Sequence, residues 1–358
     1  MIDGSPLVPH IWFNQSVHFR KGSIMVLKTL QASRVLVVAY PGAADNEAYR
    51  KVIGNLEGRT VQEETCKTAT QGEVLRMREK YEHSPPDLIL GIGGGQVMDS
   101  AKMLRVLLEN PGKSFANILE GPLAQRSIAY VAVPTTPSTG SEANGTAVIK
   151  GSDGVKVPYV TRLMVPDVAI LDPSFLSTFS SDQIFTFMGD TFGHAYETMV
   201  SKLTNPLIQS IARSIIDLLK LASAELRQTP ADARGLDKLM QAGYLGGLAT
   251  GSVFVGVCHA LAHSLEQQKG VAHSSAVLSL TPRCLSWHAE TTKDPIYSHL
   301  LSEFESIGLQ SRVSPDVLAG VDLLLLARQA LADPAMKTSP IRMKEQEMMG
   351  LINWILKK

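Results

Sequence analysis

Residues 87–102 read DLILGIGGGQVMDSAK, which is a short apolar run, a cluster of glycines and the start of a helical pattern. A short apolar run that stops at glycine predicts a buried strand. Glycines let backbone amides approach an anion closely, and the N-terminus of the following helix adds partial positive charge. The segment Gly91–Gln96 therefore predicts a pyrophosphate-binding loop, although a tight strand-to-helix turn remains an alternative. Asp99 can complement the helix dipole, and Lys102 is interpreted as a surface residue.

Apolar runs and helical patterns alternate on both sides of this segment. The runs are short and stop at Pro, Gly or Asp, which is typical of buried strands. Strands that alternate with helices imply a parallel sheet covered on both faces. The loop Lys150–Gly154 is interpreted as a hairpin or excursion within this half. The predicted strands are Arg34–Ala39, Asp87–Leu90, Ala129–Val133 and Val168–Leu171, and the predicted helices are Asn46–Asn55, Gln71–Lys80 and Val97–Asn110.

Beyond Pro173 the strand signals fade and helical patterns take over. Several of these patterns begin at or just after Ser, Pro or Asp, which suit helix starts. The predicted fold class is therefore α/β plus all-α: a Rossmann-like parallel-sheet domain over residues 1–175, then a helical-bundle domain over residues 176–358. The predicted helices of the second domain are Ile184–Ser201, Pro206–Thr229, Asp232–Gly251, Val253–Gln268, Ala276–His288 and Lys344–Lys357.

The composition excludes several classes of protein. Lys plus Arg number 34 and Asp plus Glu number 34, so the chain lacks the basic excess typical of nucleic-acid binders. No apolar run reaches the roughly 18 residues that a membrane-spanning helix needs. The N-terminus lacks the basic-then-apolar order of a signal peptide, and the 3 cysteines suggest no disulfide framework. We therefore expect a cytoplasmic protein with no membrane or nucleic-acid partner.

A second candidate loop, Pro134–Glu142, reads PTTPSTGSE and follows the strand Ala129–Val133. Ligands of open parallel sheets bind at the carboxyl ends of the strands, so these hydroxyl groups are candidates for ligand contacts. Ser and Thr also cap helices, and a capped helix start remains an equal alternative.

Carboxylate and imidazole groups recur at helical spacing in the second half. Asp190 and His194 are four residues apart, as are His259 and His263, and His273 follows ten residues later. Residues four apart share one helix face, and this donor set suits a transition metal such as Fe²⁺ or Zn²⁺. A lone histidine is more often structural, but the grouping predicts metal binding. Cys258 is interpreted as a core residue, and Glu142 and Glu197 as acid–base, capping or helix-surface residues.

Taken together, these segments resemble the iron-containing, or group III, alcohol dehydrogenase family. Gly93–Lys102 is similar to the family's GGGSxxDxAK, and Pro134–Glu142 to PTTxxTGSE. Asp190–Glu197 is similar to DxxxHAxE, and His259–His273 to HAxAHxLxxxxxxxH. Order and spacing agree over about residues 30–290, so we expect the dehydroquinate-synthase-like fold and a homodimer or higher homo-oligomer.

The resemblance also implies roles for individual residues. The family's metal ligands correspond to Asp190, His194, His259 and His273. His263 corresponds to a histidine beside the metal that is usually not a ligand, and it is a candidate proton relay or an orienting residue. The residues expected around the nicotinamide cofactor are Gly93, Gly94, Gly95, Gln96, Asp99, Thr135, Thr136, Thr139, Thr146 and Lys156.

Three departures from the family pattern suggest an outlying subgroup. Gln96 replaces the serine after the glycines, Ser274 replaces the glycine after the last metal histidine, and Lys67–Ala69 stands where an Asn-Pro pair is common. Because substrate identity does not transfer safely to such a subgroup, the alcohol remains open. The segments expected to line the pocket, Phe185–Met188 and Gly251–Val257, are largely apolar and favour a small or medium aldehyde.

The candidate residues, together with the resemblance, predict a metal-dependent, NAD(P)-linked alcohol dehydrogenase or aldehyde reductase. One alternative is a lyase of the dehydroquinate synthase type, which would need Lys and Arg near the metal. The nearest candidates in sequence are Lys202, Lys269 and Arg283. A second alternative is a non-catalytic protein that binds metal and nucleotide.

The cofactor preference is predicted from the end of the strand Arg34–Ala39. Enzymes that prefer NAD commonly place an acid there, against the ribose 2′-hydroxyl. Here the strand is followed by Tyr40-Pro41-Gly42, and the acids Asp45 and Glu47 come later, where they could fold back. We therefore predict that NADPH is accepted, and use of NADH remains open.

Overall fold

A computed structural model describes residues 10–124 and 127–357, which form two compact units. In the described part, the first unit is made of Ile11–Thr178, and the second of His10 and the chain from Phe179 to residue 357. The first is built on a parallel sheet and the second on helices, as the predicted fold class requires. That fold class is confirmed.

The first unit is organised around a six-stranded, all-parallel sheet with the order β1-β8-β5-β4-β2-β3. The register pairs Gly93 of β4 with Pro134 of β5, so the glycine loop and the hydroxyl-rich loop leave the same edge of the sheet. The strands of this sheet are β1 (Ser16–Phe19), β2 (Arg34–Ala39), β3 (Thr60–Thr65), β4 (Leu88–Gly93), β5 (Ala129–Pro134) and β8 (Val168–Leu171). Strands β6 (Thr146–Lys150) and β7 (Lys156–Val160) form a separate two-stranded sheet.

Both faces of this sheet are buried, which explains why β4 and all of β2 after Arg34 lack polar side chains. On β2, Leu36 and Val38 belong to the core on one face, whereas Val35 and Val37 belong to the core on the other. Helices α2 and α3 contribute to the first core and α1 to the second. The helices are α1 (Glu47–Gly54), α2 (Gln71–Tyr81) and α3 (Gly95–Glu109).

The strands that sequence patterns missed are the two edge strands, β1 and β3. β3 is mostly exposed and β1 only partly buried, so neither carries the continuous apolar run of a central strand. The predicted hairpin around Lys150–Gly154 is confirmed, because β6 and β7 pair antiparallel across it.

The second unit is helical throughout its described part, apart from loops and turns. Several of its helices start at side-chain caps: Ser180 forms a capping box with Gln183, and Asn205 and Asp232 cap the next two helices. The helices are α4 (Ser181–Val200), α5 (Pro206–Gln228), α6 (Ala233–Val253), α7 (Val257–Lys269), α8 (His273–Thr292), α9 (Pro295–Ile307), α10 (Leu323–Ala332) and α11 (Glu345–Lys357).

Several helix boundaries differ from prediction. α6 and α7 are separated at Phe254, whose φ of 58° is incompatible with a helix, so α7 begins at Val257 rather than Val253. α8 begins at His273 and continues through Pro282, and α9 and α10 were not predicted. No single helix in the described part is long and apolar enough to cross a membrane; only α6 and α7 together, bent by 102°, have that length and composition.

Candidate metal and nucleotide sites

The glycine loop connects β4 to α3 and lies against the hydroxyl-rich loop. Gly94 stands at the N-cap of α3, and no described side chain caps that helix. A Cβ added at Gly94 would lie 3.2 Å from Thr136 Oγ1, and one added at Gly95 would lie 3.2 Å from Thr139 Cβ. Thr136 Oγ1 is buried and has no hydrogen-bond partner among the described residues. In the described part of the chain, the backbone N–H groups at the start of α3 have no side-chain cap and lie beside a hydroxyl without a hydrogen-bond partner. This arrangement suits the binding of a pyrophosphate group.

Asp99 and Lys102 form a polar cluster inside the first unit. Asp99 Oδ1 accepts a hydrogen bond from Ser141 Oγ (2.6 Å), and Oδ2 accepts one from Val148 N (2.9 Å). These contacts tie α3 to the hydroxyl-rich loop and to the β6–β7 hairpin. The interpretation of Lys102 as a surface residue is wrong, because the side chain is fully buried and donates to Ser141 Oγ and the Thr146 carbonyl. Burial lowers the pKa of Lys102 to about 8.

The other predicted cofactor residues lie around this cluster. Thr135 is buried and its N–H donates to the carbonyl of Gly93, which fastens the two loops together. Thr146 and Lys156 lie on the β6–β7 hairpin, and Gln96 is exposed in the first turn of α3. The structure therefore gathers these residues into one part of the first unit, around the start of α3.

The predicted metal ligands converge in the second unit. Ligand atoms of Asp190, His259 and His273 all lie within 4.8 Å of one another. Asp190 Oδ1 is 3.4 Å from His259 Nε2 and 3.8 Å from His273 Nε2. His194 Nε2 lies 3.9 Å from the same carboxylate oxygen. Asp190 Oδ1 and His259 Nε2 are buried without hydrogen-bond partners among the described residues, so the donor set fits a metal ion.

Neighbouring residues form hydrogen bonds with His259 Nδ1 and Asp190 Oδ2, the atoms of these donors on the side away from the cluster. Glu197 accepts a hydrogen bond from His259 Nδ1 (2.6 Å) and from the backbone N–H groups of Gly256 and Cys258 (2.8 Å and 2.6 Å). Ser274 Oγ donates to Asp190 Oδ2 (2.8 Å). Such partners fix the orientation of metal ligands. The departure from glycine at position 274 therefore adds a hydroxyl that positions the carboxylate.

Protonation in this cluster is set by burial and by the two carboxylates. Burial lowers the pKa of His194 to about 4 and that of His273 to about 3, so both rings are neutral near pH 7. Burial lowers the pKa of His259, but the adjacent carboxylates of Asp190 (3.4 Å) and Glu197 (2.6 Å) outweigh this effect and raise it to about 9. A cation between Asp190 and His259 would take the place of that proton, since metal ligands bind in the deprotonated form.

His263 lies beside the cluster without contacting Asp190 in the described structure. Its ring stacks on that of His273, with centroids 5.1 Å apart and planes 20° apart. Its Nδ1 lies 2.9 Å from Asp333 Oδ2. The predicted position of His263 next to the donors is therefore the observed one, and its carboxylate partner was not predicted.

Two glutamates of the motifs are buried, contrary to the exposed alternatives. Glu197 belongs to the donor cluster and is not on a helix surface. Glu142, the last residue of the hydroxyl-rich loop, lies in the short 3₁₀ helix Ser141–Ala143, where burial raises its pKa to about 7. Glu197 follows Asp190 by seven residues, so helical spacing alone places it on the same face and could have identified it. Cys258 is a core residue, as interpreted.

The glycine loop at a sheet edge and the carboxylate–imidazole cluster in a helical unit both point to one class, that of metal- and nucleotide-binding oxidoreductases. Residues 14–173 match the family described as iron-containing alcohol dehydrogenase. Residues 184–301 match the C-terminal part of the Fe-containing alcohol dehydrogenase family. The chain therefore belongs to the iron-containing alcohol dehydrogenase family, and the resemblance inferred from its motifs is confirmed.

Similar proteins include an NADPH-dependent butanol dehydrogenase of Clostridium saccharobutylicum, 24% identical over 78% of this chain and 74% of the relative. The probable alcohol dehydrogenase EutG of Escherichia coli is 26% identical over 80% of this chain and 76% of that protein. Aldehyde-alcohol dehydrogenase 2 of Entamoeba histolytica is 30% identical over 57% of this chain, and the match spans only 25% of that longer protein.

Solved structures share the fold over the whole length. A 1,3-propanediol oxidoreductase has a TM-score of 0.86 and 22% identity, covering 97% of this chain and 100% of that one. A sulfoacetaldehyde reductase of Bifidobacterium kashiwanohense, solved with NAD⁺, has a TM-score of 0.84 and 19% identity, covering 98% and 99%. At this identity the likeness establishes the fold alone.

Proposed function

We propose that this protein is a metal-dependent, NAD(P)-linked alcohol dehydrogenase or aldehyde reductase acting on a small or medium alcohol or aldehyde. The observation that carries the proposal is the convergence of Asp190, His259 and His273, with ligand atoms within 4.8 Å of one another. The family assignment and the open helix N-terminus beside Thr136 support it.

In this proposal Asp190, His194, His259 and His273 hold Fe²⁺ or Zn²⁺, which supplies Lewis-acid polarisation of the substrate oxygen. Glu197 fixes the tautomer of His259 so that Nε2 faces Asp190 with its lone pair. The glycine loop and Thr136 bind the pyrophosphate of the nicotinamide cofactor, which supplies the hydride chemistry. His263 relays a proton to or from the substrate oxygen through its imidazole.

The geometry at the end of β2 bears on the choice between NADPH and NADH. Asp45 lies in the short 3₁₀ helix Ala43–Asp45 that follows the strand, and its Oδ2 is 3.8 Å from where a Cβ of Gly42 would be. Glu47 instead pairs with Lys51 on the surface of α1 (2.6 Å). Asp45 follows the strand end by six residues and does not occupy it, so we keep the proposal that NADPH is accepted. The NADPH-dependent butanol dehydrogenase among the similar proteins supports it.

We place the protein in the cytoplasm as a homodimer or higher homo-oligomer. The free, buried state of Cys66, Cys258 and Cys284 supports a reducing compartment. The oligomeric state rests on the family resemblance.

The lyase alternative is less well supported by the cationic side chains. Arg283 donates to the carbonyls of Ser279 and Pro315 (3.2 Å and 3.3 Å), and Lys202 and Lys269 are exposed. A phosphorylated, carboxylated substrate requires cations beside the metal donors.

The test is a panel of small and medium aldehydes assayed with NADPH and with NADH on the iron- and zinc-loaded protein. The proposal predicts aldehyde-dependent oxidation of the nicotinamide cofactor and reduction of NADP⁺ or NAD⁺ with the matching alcohols. Binding of metal and nucleotide without turnover on any member of the panel would favour the non-catalytic alternative.

A further inference from the structure

We propose that Asp333 is a positioning residue that fixes the tautomer and ring orientation of His263 beside the metal donors. The inference rests on the proposed function, in which His263 relays a proton. Asp333 lies beyond the matched family segments, in the turn after α10, and no sequence motif marks it.

One carboxylate serves two partners. Asp333 Oδ1 accepts a hydrogen bond from Ala335 N (2.8 Å) and so caps the short 3₁₀ helix Pro334–Lys337. Asp333 Oδ2 accepts one from His263 Nδ1 (2.9 Å). An imidazole that donates through Nδ1 keeps Nε2 as the nitrogen with a free lone pair. Asp333 therefore sets which nitrogen of His263 is able to accept a proton.

The segment that carries Asp333 is anchored at its far end. Thr338 Oγ1 donates to the carbonyl of Val255 (2.8 Å), in the link between α6 and α7. The Thr338 carbonyl accepts from Lys202 N (3.0 Å), just after α4. Because Lys202 lies just after α4 and Val255 just before α7, this segment is tied to chain next to two helices that carry metal donors.

Exposure distinguishes this pair from a buried structural ion pair. The side chain of His263 is 36% exposed, whereas that of Asp333 is 17% exposed. The ring of His263 is stacked on His273 on one side and accessible to solvent elsewhere. A residue that exchanges protons with a substrate oxygen needs such access, and its orienting partner does not.

The central variant is Asp333→Asn, because asparagine retains an oxygen that caps Ala335 N. Its amide N–H₂ cannot accept a hydrogen bond from His263 Nδ1. We expect kcat to fall about 10–100-fold, which is part of the roughly 10²–10⁴-fold that a positioned general acid or base contributes. Metal content and the KM for the nicotinamide cofactor should be unchanged. Asp322→Asn is the matched control: Asp322 caps α10 through Leu325 N (3.0 Å), contacts no histidine in the described part, and its variant should retain full activity.

The same substitution in a His263→Ala background separates positioning from structure. We expect no further loss there, because Asp333 acts through His263. An equal loss in both backgrounds would mean that Asp333 is merely structural, and kcat within about twofold of wild type in the single variant would also overturn the proposal.

A spectroscopic readout is independent of turnover. In ¹⁵N-histidine-labelled, zinc-loaded protein, His263 should give the shifts of an Nδ1–H tautomer, and Asp333→Asn should change them. An unchanged tautomer would overturn the proposal. If wild type lacks turnover on all substrates, the proposed function fails, while this measurement still decides the role of Asp333.

Discussion

The glycine loop of the first unit and the donor cluster of the second differ in the atoms that build the site. The loop is made of backbone, and an added Cβ at Gly94 or Gly95 would lie 3.2 Å from a threonine side chain. The cluster is made of side chains whose outer atoms are held, as Glu197 holds His259 (2.6 Å). The first site is therefore damaged by adding an atom, and the second by removing one. Each kind of damage should leave the other site intact.

The largest effect is expected from His259→Ala, which removes a donor from the cluster. Lewis-acid polarisation contributes several kcal/mol, so turnover should fall about a thousandfold or more. NADPH titration monitored by fluorescence should give an unchanged affinity, because the glycine loop is untouched. Loss of nucleotide binding in this variant would mean that the two sites are not separable.

A smaller effect is expected from Glu197→Gln, which retains the shape and removes the charge that holds His259. Partners of metal ligands usually contribute about 10–100-fold to metal affinity or activity. Competition with a chelator of known affinity measures the change. Glu225→Gln is the matched control, since Glu225 forms a partly buried ion pair with Lys238 (2.9 Å), contacts no metal donor in the described part and should not affect the metal.

Gly95→Ala tests the glycine loop. The added Cβ must displace Thr139, and overpacking of this kind costs about 1–3 kcal/mol. We expect nucleotide affinity to fall about tenfold or more while metal content stays the same. Gly72→Ala is the control, because a Cβ there meets no described atom within 4 Å. Equal affinities for both variants would contradict a close-packed nucleotide loop.

The smallest effect concerns the acid beside the loop after β2. Asp45→Asn should raise kcat/KM with NADPH about two- to fivefold and leave NADH unchanged, since exposed charge pairs contribute up to about 1 kcal/mol. Glu47→Gln, which only breaks a surface pair with Lys51, should change neither value. A wild-type preference for NADH above about a hundredfold would mean that an acid already excludes the 2′-phosphate.

The predictable parts of the molecule were those with a strong local cause. Gly93–Gly95 and the apolar β4 mark a strand, a turn and a helix within one segment, and α4 shows Asp190 and His194 on one face. The edge strand β3 was not predicted because it is mostly exposed and mostly polar, so it lacks the apolar run of a central strand. Asp333 was not predicted because tertiary packing alone brings it to His263, which is 70 residues away in the sequence.

Metal removal and restoration in the wild-type protein tests most directly whether the donor cluster holds the metal that turnover requires. Protein stripped with a chelator should lose turnover and regain it on addition of about one Fe²⁺ or Zn²⁺ per chain, the stoichiometry of a single site. Nucleotide affinity should stay the same throughout, because the glycine loop contains no metal ligand. Full turnover in thoroughly metal-free protein would contradict the role assigned to Asp190, His194, His259 and His273.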